Sequence, residues 1–512
     1  MSFSAATRRH FLDRLGAETC DVVVVGGGIT GAGVALDAAS RGLRTALVER
    51  GDFASGTSSR SSKLVHGGLR YLDQREFKLV YEALAERQRL MRLAPHLVRL
   101  LPFLIPVFGE GPGAAAYSRA VGAALWMYDL TGGARIGRIH RRLSPHEALA
   151  HMPDLDASRL AAGFLYYDAR ADDARLTLAV IRTAVHHGAV VANYCEATGL
   201  PADPGSGRLV GVDAADRLDE RRSLRISARV VVNAAGVWAD RLTDLAGGGS
   251  RPSSIRPAKG VHITLPAGRP ALDVAAVLPV PGDRRSVFVI PWGERVYVGT
   301  TDTDYDGPVD DPVCTAADVE YLLGALNASL TRPVHRSEVV GTWAGLRPLV
   351  QDAPSRRTAD LSRRHRLRLD ANGMVTIVGG KLTTYRRMAR DAVDAAVRQL
   401  PPGAPAVRRS RTATLPLFGA GGHDELGGAV SAHLAGRYGG QAREVARLAD
   451  SDPVLADPLV PGLPYLGAEA VYAARCEMAC TVEDVLARRT RALLLDAGAT
   501  AAAATATAAL LA

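Results

Sequence analysis

Residues 21–31 read DVVVVGGGITG, and they decide the fold. Four consecutive valines are β-branched and stiff at χ1, which suits a buried parallel strand. That strand runs directly into Gly26-Gly27-Gly28-Ile29-Thr30-Gly31, a G-x-G-x-x-G. An alanine-rich, helix-compatible stretch follows at 32–40, and a second short strand at 45–48 ends on Glu49. In this order the parts make a βαβ dinucleotide-binding unit. Gly26 permits the tight turn, Gly28 lets the backbone approach a pyrophosphate, and Gly31 lets helix and strand pack closely. The helix opens at Ile29 and Thr30, where free N–H groups and the helix dipole favour phosphate. Glu49, with Arg50 beside it, is expected to reach the ribose of the adenosine. The unit alone does not separate FAD from NAD.

The next segment, GDFASGTSSRSSKLVHGGLRYL (51–72), resembles neither a helix core nor an ordinary strand. Its small residues let the backbone lie close to a large flat ligand. The hydroxyls of Thr57, Ser58, Ser59 and Ser61 can serve phosphate or flavin groups. Lys63, His66 and Arg70 are polar groups set among Leu64, Val65, Leu69 and Tyr71. If Gly67 and Gly68 continue as helix, His66 and Arg70 share one face at i,i+4 spacing.

Further along, an apolar strand at 230–233 ends in Ala234-Ala235-Gly236, small residues that suit close approach to a cofactor. Lys259 and His262 put a cation and an imidazole beside a strand, and Gly299-Thr300-Thr301-Asp302 follows another. Arg347 sits between Gly345 and Pro348, which reads as a fixed turn that gives its guanidinium a defined target. The stretch 375–378 runs into Gly379-Gly380-Lys381, with a helix expected from about Leu382 and Thr383. This repeats the strand, glycine pair and helix N-terminus logic.

With 512 residues, 47% hydrophobic and 22% charged, the chain has the composition of a globular protein of two or three domains. The net charge of +9 comes almost wholly from arginine. Of the four lysines, Lys63, Lys78, Lys259 and Lys381, three fall inside the motifs above, where a compact ammonium answers a geometric demand. No nucleic-acid-binding signature accompanies the charge, so no nucleic acid is expected. An anionic substrate or an anionic membrane surface accounts for it as well. Five scattered cysteines make no disulfide framework, and no metal site is expected. No signal peptide or membrane-spanning stretch is read. The Ala/Thr-rich end from Ala492 is expected to be a frayed helix or disordered.

Taken together, GGGITGAG, TSSRSSKLVHGGLRYL, YYDARADDARL (166–176), VVNAAGVWAD (231–240), RPAKGVHI (256–263), VGTTDTDY, GLRPL (345–349) and GGKLTTYRRMA (379–389) resemble the FAD-dependent, quinone-linked glycerol-3-phosphate dehydrogenases. The resemblance covers roughly residues 18–400 in unbroken order and is looser beyond. It implies an α/β fold: a doubly wound FAD-binding domain from 18–100, 165–240 and 340–400, and a mixed-sheet substrate domain from 101–164 and 241–339. A helical cap at 401–495 and a flexible tail at 496–512 would complete the chain. The implied reaction takes sn-glycerol 3-phosphate to dihydroxyacetone phosphate. A hydride leaves C2 for flavin N5, and electrons pass on to a quinone. Arg70 and Arg347 are the candidate cations for phosphate, with Tyr71 and Thr300 as hydrogen-bond partners. His66 and His262 are both candidate bases, and Lys381 would stabilise reduced flavin or orient substrate. Around the cofactor the resemblance also implies Lys63, Leu64, Gly67, Gly68, Ala235, Gly236, Gly380, Leu382 and Thr383. It further implies electron delivery to a membrane quinone. With no span read, the contact is expected to be peripheral, on the inner face of the cell membrane. Arg356–Arg368 reads first as a solvated surface and alternatively as a basic contact patch, and a homodimer is expected. An oxidase of the same fold that uses O₂ and a non-catalytic flavoprotein are the alternatives.

Overall fold

The computed structural model describes residues 3–69, 71, 76–247, 254–283, 285–350, 365–401, 406–422 and 431–511. The valine run forms the strand Cys20–Val25, every residue of which is buried. It pairs in parallel with Thr45–Val48 on one side and Ser223–Asn233 on the other. Val190–Ala192 and Val375–Gly379 extend the parallel order at the two flanks, and His365–Leu369 closes one edge antiparallel. Where the central strands are buried on both faces they are apolar, as at Val22–Val25, Ala46–Val48 and Val230–Val232.

The glycine-loop helix, Ile29–Ser40, packs against Asp173–His186 and Tyr385–Val397. Gly33 permits the second contact, because a Cβ there would lie 2.9 Å from the Tyr385 ring and 3.0 Å from Ala389 Cβ. This is the doubly wound α/β architecture expected from the sequence.

The second sheet has ten strands and is mixed. Its spine is Ile255–Pro266, paired over ten residues with Gly341–Val350 and on its other side with Arg295–Gly299. Alternation along the spine separates two environments. Val261, Ile263 and Leu265 enter a core with Val319 and Leu322 of the helix Ala316–Asn327. Gly260, His262 and Thr264 therefore face the opposite way. The serine-rich segment joins the two sheets: Leu64–Val65 pairs with Ala169 and Arg170 at the edge of the second sheet.

Short helices build the C-terminal region, including Ala432–Tyr438, Ala442–Ser451 and Gly467–Cys476. The Ala/Thr-rich end is helical, forming Ala497–Ala502 and Ala504–Leu511. Alanine's helix propensity favours this, and Asp496 caps the first helix by accepting from Ala499 N. Leu510 and Leu511 then pack on a cluster containing Leu495 and Ala503.

Among the described residues no helix is long and apolar enough to cross a membrane, and no His/Cys/Asp/Glu group could hold a metal ion. Most of the Arg356–Arg368 run lies outside the described residues. Arg368 itself sits in the edge strand and donates to Thr243 Oγ1 at 3.0 Å.

Candidate functional site

At the mouth of the first strand the backbone is pressed close on all sides. Gly26 has φ +114°, and a Cβ there would lie 2.6 Å from the Ala234 carbonyl oxygen. A Cβ on Gly31 would sit 1.8 Å from the Gly26 oxygen, so only hydrogen fits. Gly28 is the helix N-cap without a side-chain cap, and the first turn, with Ile29 and Thr30, carries no acidic residue. Ile29 N donates to Ser58 Oγ at 2.8 Å, which brings the serine-rich segment to the helix end. Glu49 accepts from Gly27 N at 2.6 Å and Gly51 N at 2.9 Å. Burial nonetheless raises its pKa against these two bonds. Ala235 N donates to Asn233 Oδ1, and Gly236, with φ +61°, has open space where a Cβ would be. Arg50 lies over the Trp238 ring at 4.4 Å and pairs with Asp310 at 2.6 Å. Burial opposes ionisation of Asp310, but bonds from Arg50, Arg241 and Trp238 hold its pKa at about 2.

From Thr57 onward the chain lies across the second sheet. Thr57 Oγ1 donates to the Leu346 carbonyl at 2.6 Å, and Ser59 Oγ to Gly56 O at 3.4 Å. Ser61 Oγ donates to Asp173 at 2.7 Å. Lys63 Nζ binds Asp173 at 3.0 Å and the Ser59 carbonyl at 3.2 Å. Burial, then the charge of Arg491, pulls Lys63 down to about 8, with Asp173 opposing. Its ammonium braces the segment from beneath. Leu64 joins a buried cluster with Tyr71 and Leu84.

Residues 66–68 are not helical, which corrects the reading of a shared His66/Arg70 face. Gly67 N is held by Tyr128 Oη at 3.0 Å and Asp168 at 3.3 Å, and Gly68 turns the chain with φ +82°. Both partners come from far along the chain, and they hold Gly67 N out of any helical hydrogen bond. Arg70 lies outside the described residues. His66 N donates to Thr383 Oγ1 at 3.1 Å, and the His66 ring meets Phe288 edge-on at 6.4 Å. Lys381 Nζ stands 3.8 Å over the Tyr71 ring. Gly380 has φ +78°, and a Cβ there would lie 2.3 Å from Met388 Sδ. Leu382–Thr384 is a single 3₁₀ turn, and the α-helix begins at Tyr385.

The second group lies on the outward face of the spine. Phe288, Gly299, His262 and Trp343 form one row across four neighbouring strands. His262 stacks on Trp343 with ring centroids 4.6 Å apart, and its Nε2 lies 2.9 Å from Ser62 Oγ. Gly299 makes room, since a Cβ would lie 2.1 Å from His262 Cδ2. His262 Nδ1 and Trp343 Nε1 are buried with no hydrogen-bond partner among the described residues. Burial first, then the charges of Lys63 and Arg347, holds the His262 pKa well below 6.5.

Arg347 is in a strand, not a turn: it pairs with Ala258 inside the ten-residue ladder. It donates to Asp302 Oδ1 at 3.0 Å, Thr300 Oγ1 at 3.1 Å and Thr301 O at 3.2 Å. Gly260 admits this guanidinium, for a Cβ would lie 2.6 Å from Nη2. Lys259, one residue off, faces the other way and pairs with Asp318 at 2.7 Å.

Phe288 and the 57–66 segment thus connect the His66/Thr383 group with the His262/Arg347 group. Ser62, Trp343, Asp173 and Arg491 belong to this assembly without having been singled out in the sequence, and Asp302, noted there only as the end of Gly299-Thr300-Thr301-Asp302, holds Arg347. Asp173 lies in YYDARADDARL and Trp343 beside GLRPL, so their motifs were visible but their roles were not. Arg491, which donates to Ser59 O and to Asp173 at 2.8 Å, carries no local signal.

Comparison with known proteins settles the family. The model of the FAD-dependent oxidoreductases matches residues 21–438, and that of the C-terminal domain of alpha-glycerophosphate oxidase matches 375–512. The chain is 44% identical over 495 residues to glycerol-3-phosphate dehydrogenase 2 of Mycobacterium tuberculosis, covering 93% of this chain and 82% of that one. It belongs to the FAD-dependent glycerol-3-phosphate dehydrogenase family. The mitochondrial glycerol-3-phosphate dehydrogenase of Mus musculus is 38% identical, covering 93% of this chain and 68% of that one. The crystal structure of glycerol-3-phosphate dehydrogenase from Bacillus halodurans complexed with FAD superposes with TM-score 0.76 at 30% identity, covering 99% and 98% of the two chains. For this dehydrogenase-family chain the local chemistry fits FAD. The helix end, with a glycine at its N-cap and no acid in its first turn, suits a pyrophosphate, and the orphaned polar atoms of His262 and Trp343 suit a polar ligand above the second sheet.

Proposed function

We propose that the protein oxidises sn-glycerol 3-phosphate at C2 to dihydroxyacetone phosphate and delivers the electrons to a quinone. The observation that carries this reading is the pairing of an oriented arginine with a neutral imidazole on one sheet face, beside the dinucleotide cradle. Gly26, Gly28, Ile29, Thr30, Gly31, Glu49 and Ser58 would hold the adenosine diphosphate half of FAD. Residues 59–68, Ala235, Gly236 and 380–383 would surround its flavin half. Bound FAD supplies the two-electron acceptor.

Arg347, braced by Asp302 and Thr300, offers its guanidinium to the substrate phosphate. Arg70 is the second candidate cation, and Tyr71, beneath the Lys381 ammonium, is a candidate hydrogen-bond partner. His262 is our candidate base. Its proton affinity is low because it is buried and two cations face it. A phosphate dianion on Arg347 offsets one of those cations, so His262 becomes basic when substrate is present. Ser62, in contact with Nε2, orients the ring. His66, held through its backbone by Thr383, stands at the other side against Phe288.

The match of residues 375–512 to an oxidase-derived domain favours one rival, transfer of the electrons to O₂. The test is steady-state turnover of glycerol 3-phosphate with a short-chain quinone under air, with peroxide followed in parallel. We expect quinone reduction without stoichiometric peroxide. Peroxide equal to substrate consumed, with no quinone reduction, would establish the oxidase.

A further inference from the structure

The helix Phe77–Leu93 carries Tyr81, Ala85, Arg89 and Arg92 at spacings of three and four, which puts them on one side of it. Ala85, the small residue in the middle of this row, leaves room, and a cavity of about 270 Å³ opens there. Arg135 of the 3₁₀ turn Gly133–Ile136 and Arg387 of the helix Tyr385–Val397 line its other sides. Gln88 Nε2 donates to the Arg135 carbonyl at 3.0 Å, and the Arg135 guanidinium lies 4.4 Å over the Tyr81 ring, so the turn is held against the helix. Four guanidinium groups from three elements thus border one small space.

Few carboxylates answer them. Glu82 lines the cavity and is taken by Arg387 at 3.2 Å. Glu86 is shared between Arg89 at 2.7 Å and Arg386 at 2.6 Å. Among the described residues Arg92 and Arg135 pair with no carboxylate, and Arg387 Nε is buried without a hydrogen-bond partner. Like charges gathered this way repel one another and attract an anion. A single phosphate satisfies two forked guanidinium groups, so four call for a second anionic group. The volume is below that of drug-sized pockets, which limits the ligand to a compact molecule.

We propose that this cavity binds a compact soluble metabolite bearing two or more phosphate or carboxylate groups. It shares no residue with the His262/Arg347 group, so it is a second anion site, apart from the one assigned to substrate. Binding there reaches the flavin side. Arg387 stands in the first turn of the helix that follows Leu382–Thr384, and Thr383 holds His66 N. Arg386 already ties that helix to Glu86 of Phe77–Leu93. An anion held by Arg387, Arg89 and Arg92 adds a second tie between the same two helices and so slows flavin release. By linkage, bound flavin tightens the anion. The effect on flavin rests on the FAD assignment; the binding itself does not, and neither rests on the substrate reading.

The test uses the full FAD-loaded chain, with inorganic pyrophosphate as the probe and inorganic phosphate beside it, titrated by calorimetry at constant ionic strength. Pyrophosphate should bind saturably and at least about tenfold tighter than phosphate, with its affinity unchanged by saturating glycerol 3-phosphate. Arg89→Gln/Arg92→Gln should lose at least about tenfold of that affinity and keep flavin content and dye-linked turnover. Ala85→Glu, which puts a carboxylate into the space and removes no arginine, should do the same. Pyrophosphate should slow flavin release from the wild type and from neither variant. Equal pyrophosphate binding by the wild type and both variants would overturn the proposal. So would displacement by glycerol 3-phosphate, which would put the probe at Arg347, and so would a wild type without saturable binding, which would make these arginines a solvated surface. Flavin release indifferent to pyrophosphate, with binding lost in both variants, would overturn the coupling alone.

Discussion

Two regions meet at the serine-rich segment, and they are built from different physics. The glycine loop relies mainly on groups close in sequence: backbone amides, glycine hydrogens and one carboxyl side chain 22 positions from the amide it binds. The C-terminal helices use buried charge from far along the chain. Arg488 and Arg489 both grip Asp52, Arg175 pairs with Glu477 at 2.6 Å, and Arg491 reaches Asp173 and the Ser59 carbonyl. The same Asp173 holds Lys63. A cofactor loop can thus be shaped locally and still depend on a distant domain for the position of its second half.

The largest effect is expected at Gly31. With a Cβ 1.8 Å from a backbone oxygen, Gly31→Ala should leave the chain without flavin, read as loss of visible absorbance in the purified protein. Normal flavin content would break the local half of the comparison. Asp52→Ala takes from the buried Arg489 its close carboxylate partner and from Arg488 one of three, Asp484 and Glu483 remaining, and should destabilise by about 3–5 kcal/mol in denaturant unfolding. A change below about 1 kcal/mol would reduce the ionic region to a surface-like role.

His262→Asn keeps the ring's neighbourhood but removes the base. Turnover should fall by about 10²–10⁴ with flavin content unchanged. If His66→Asn instead carried that loss, the base would be His66. If both variants turned over like wild type, histidine base catalysis would be wrong. The smallest effect is a pH shift. Lys63 keeps its charge below about 8 and loses it, with the Asp173 pair, as pH rises through that value. The alkaline limb of turnover should move upward in Lys63→Arg. Stability runs the other way for this group alone: between about 8 and 10.5 the unfolded chain binds the extra proton, so rising pH favours the folded state.

What could be read from sequence follows the same division. The βαβ unit was legible because strand, glycines and helix lie within thirty residues, and Gly31 answers a close approach to Gly26 inside the unit. Gly380 was legible for the same reason. The helix drawn through Gly67 failed because Tyr128 and Asp168 hold that amide from other elements. Arg347 looked turn-bound beside Pro348, but pairing with Ile255–Pro266 draws it into a strand. No local pattern in the sequence assigns the arginines at 488–491 a role, and only the folded chain sets them on Asp52 and Asp173.

The central claim is that this fold brings glycerol 3-phosphate to a bound flavin. Its most direct test is the absorbance of the purified holoprotein under strict anaerobiosis as glycerol 3-phosphate is added. The account predicts that the flavin band bleaches at stoichiometric substrate and that dihydroxyacetone phosphate forms. A spectrum unchanged at millimolar glycerol 3-phosphate, with flavin that dithionite still bleaches, would contradict it.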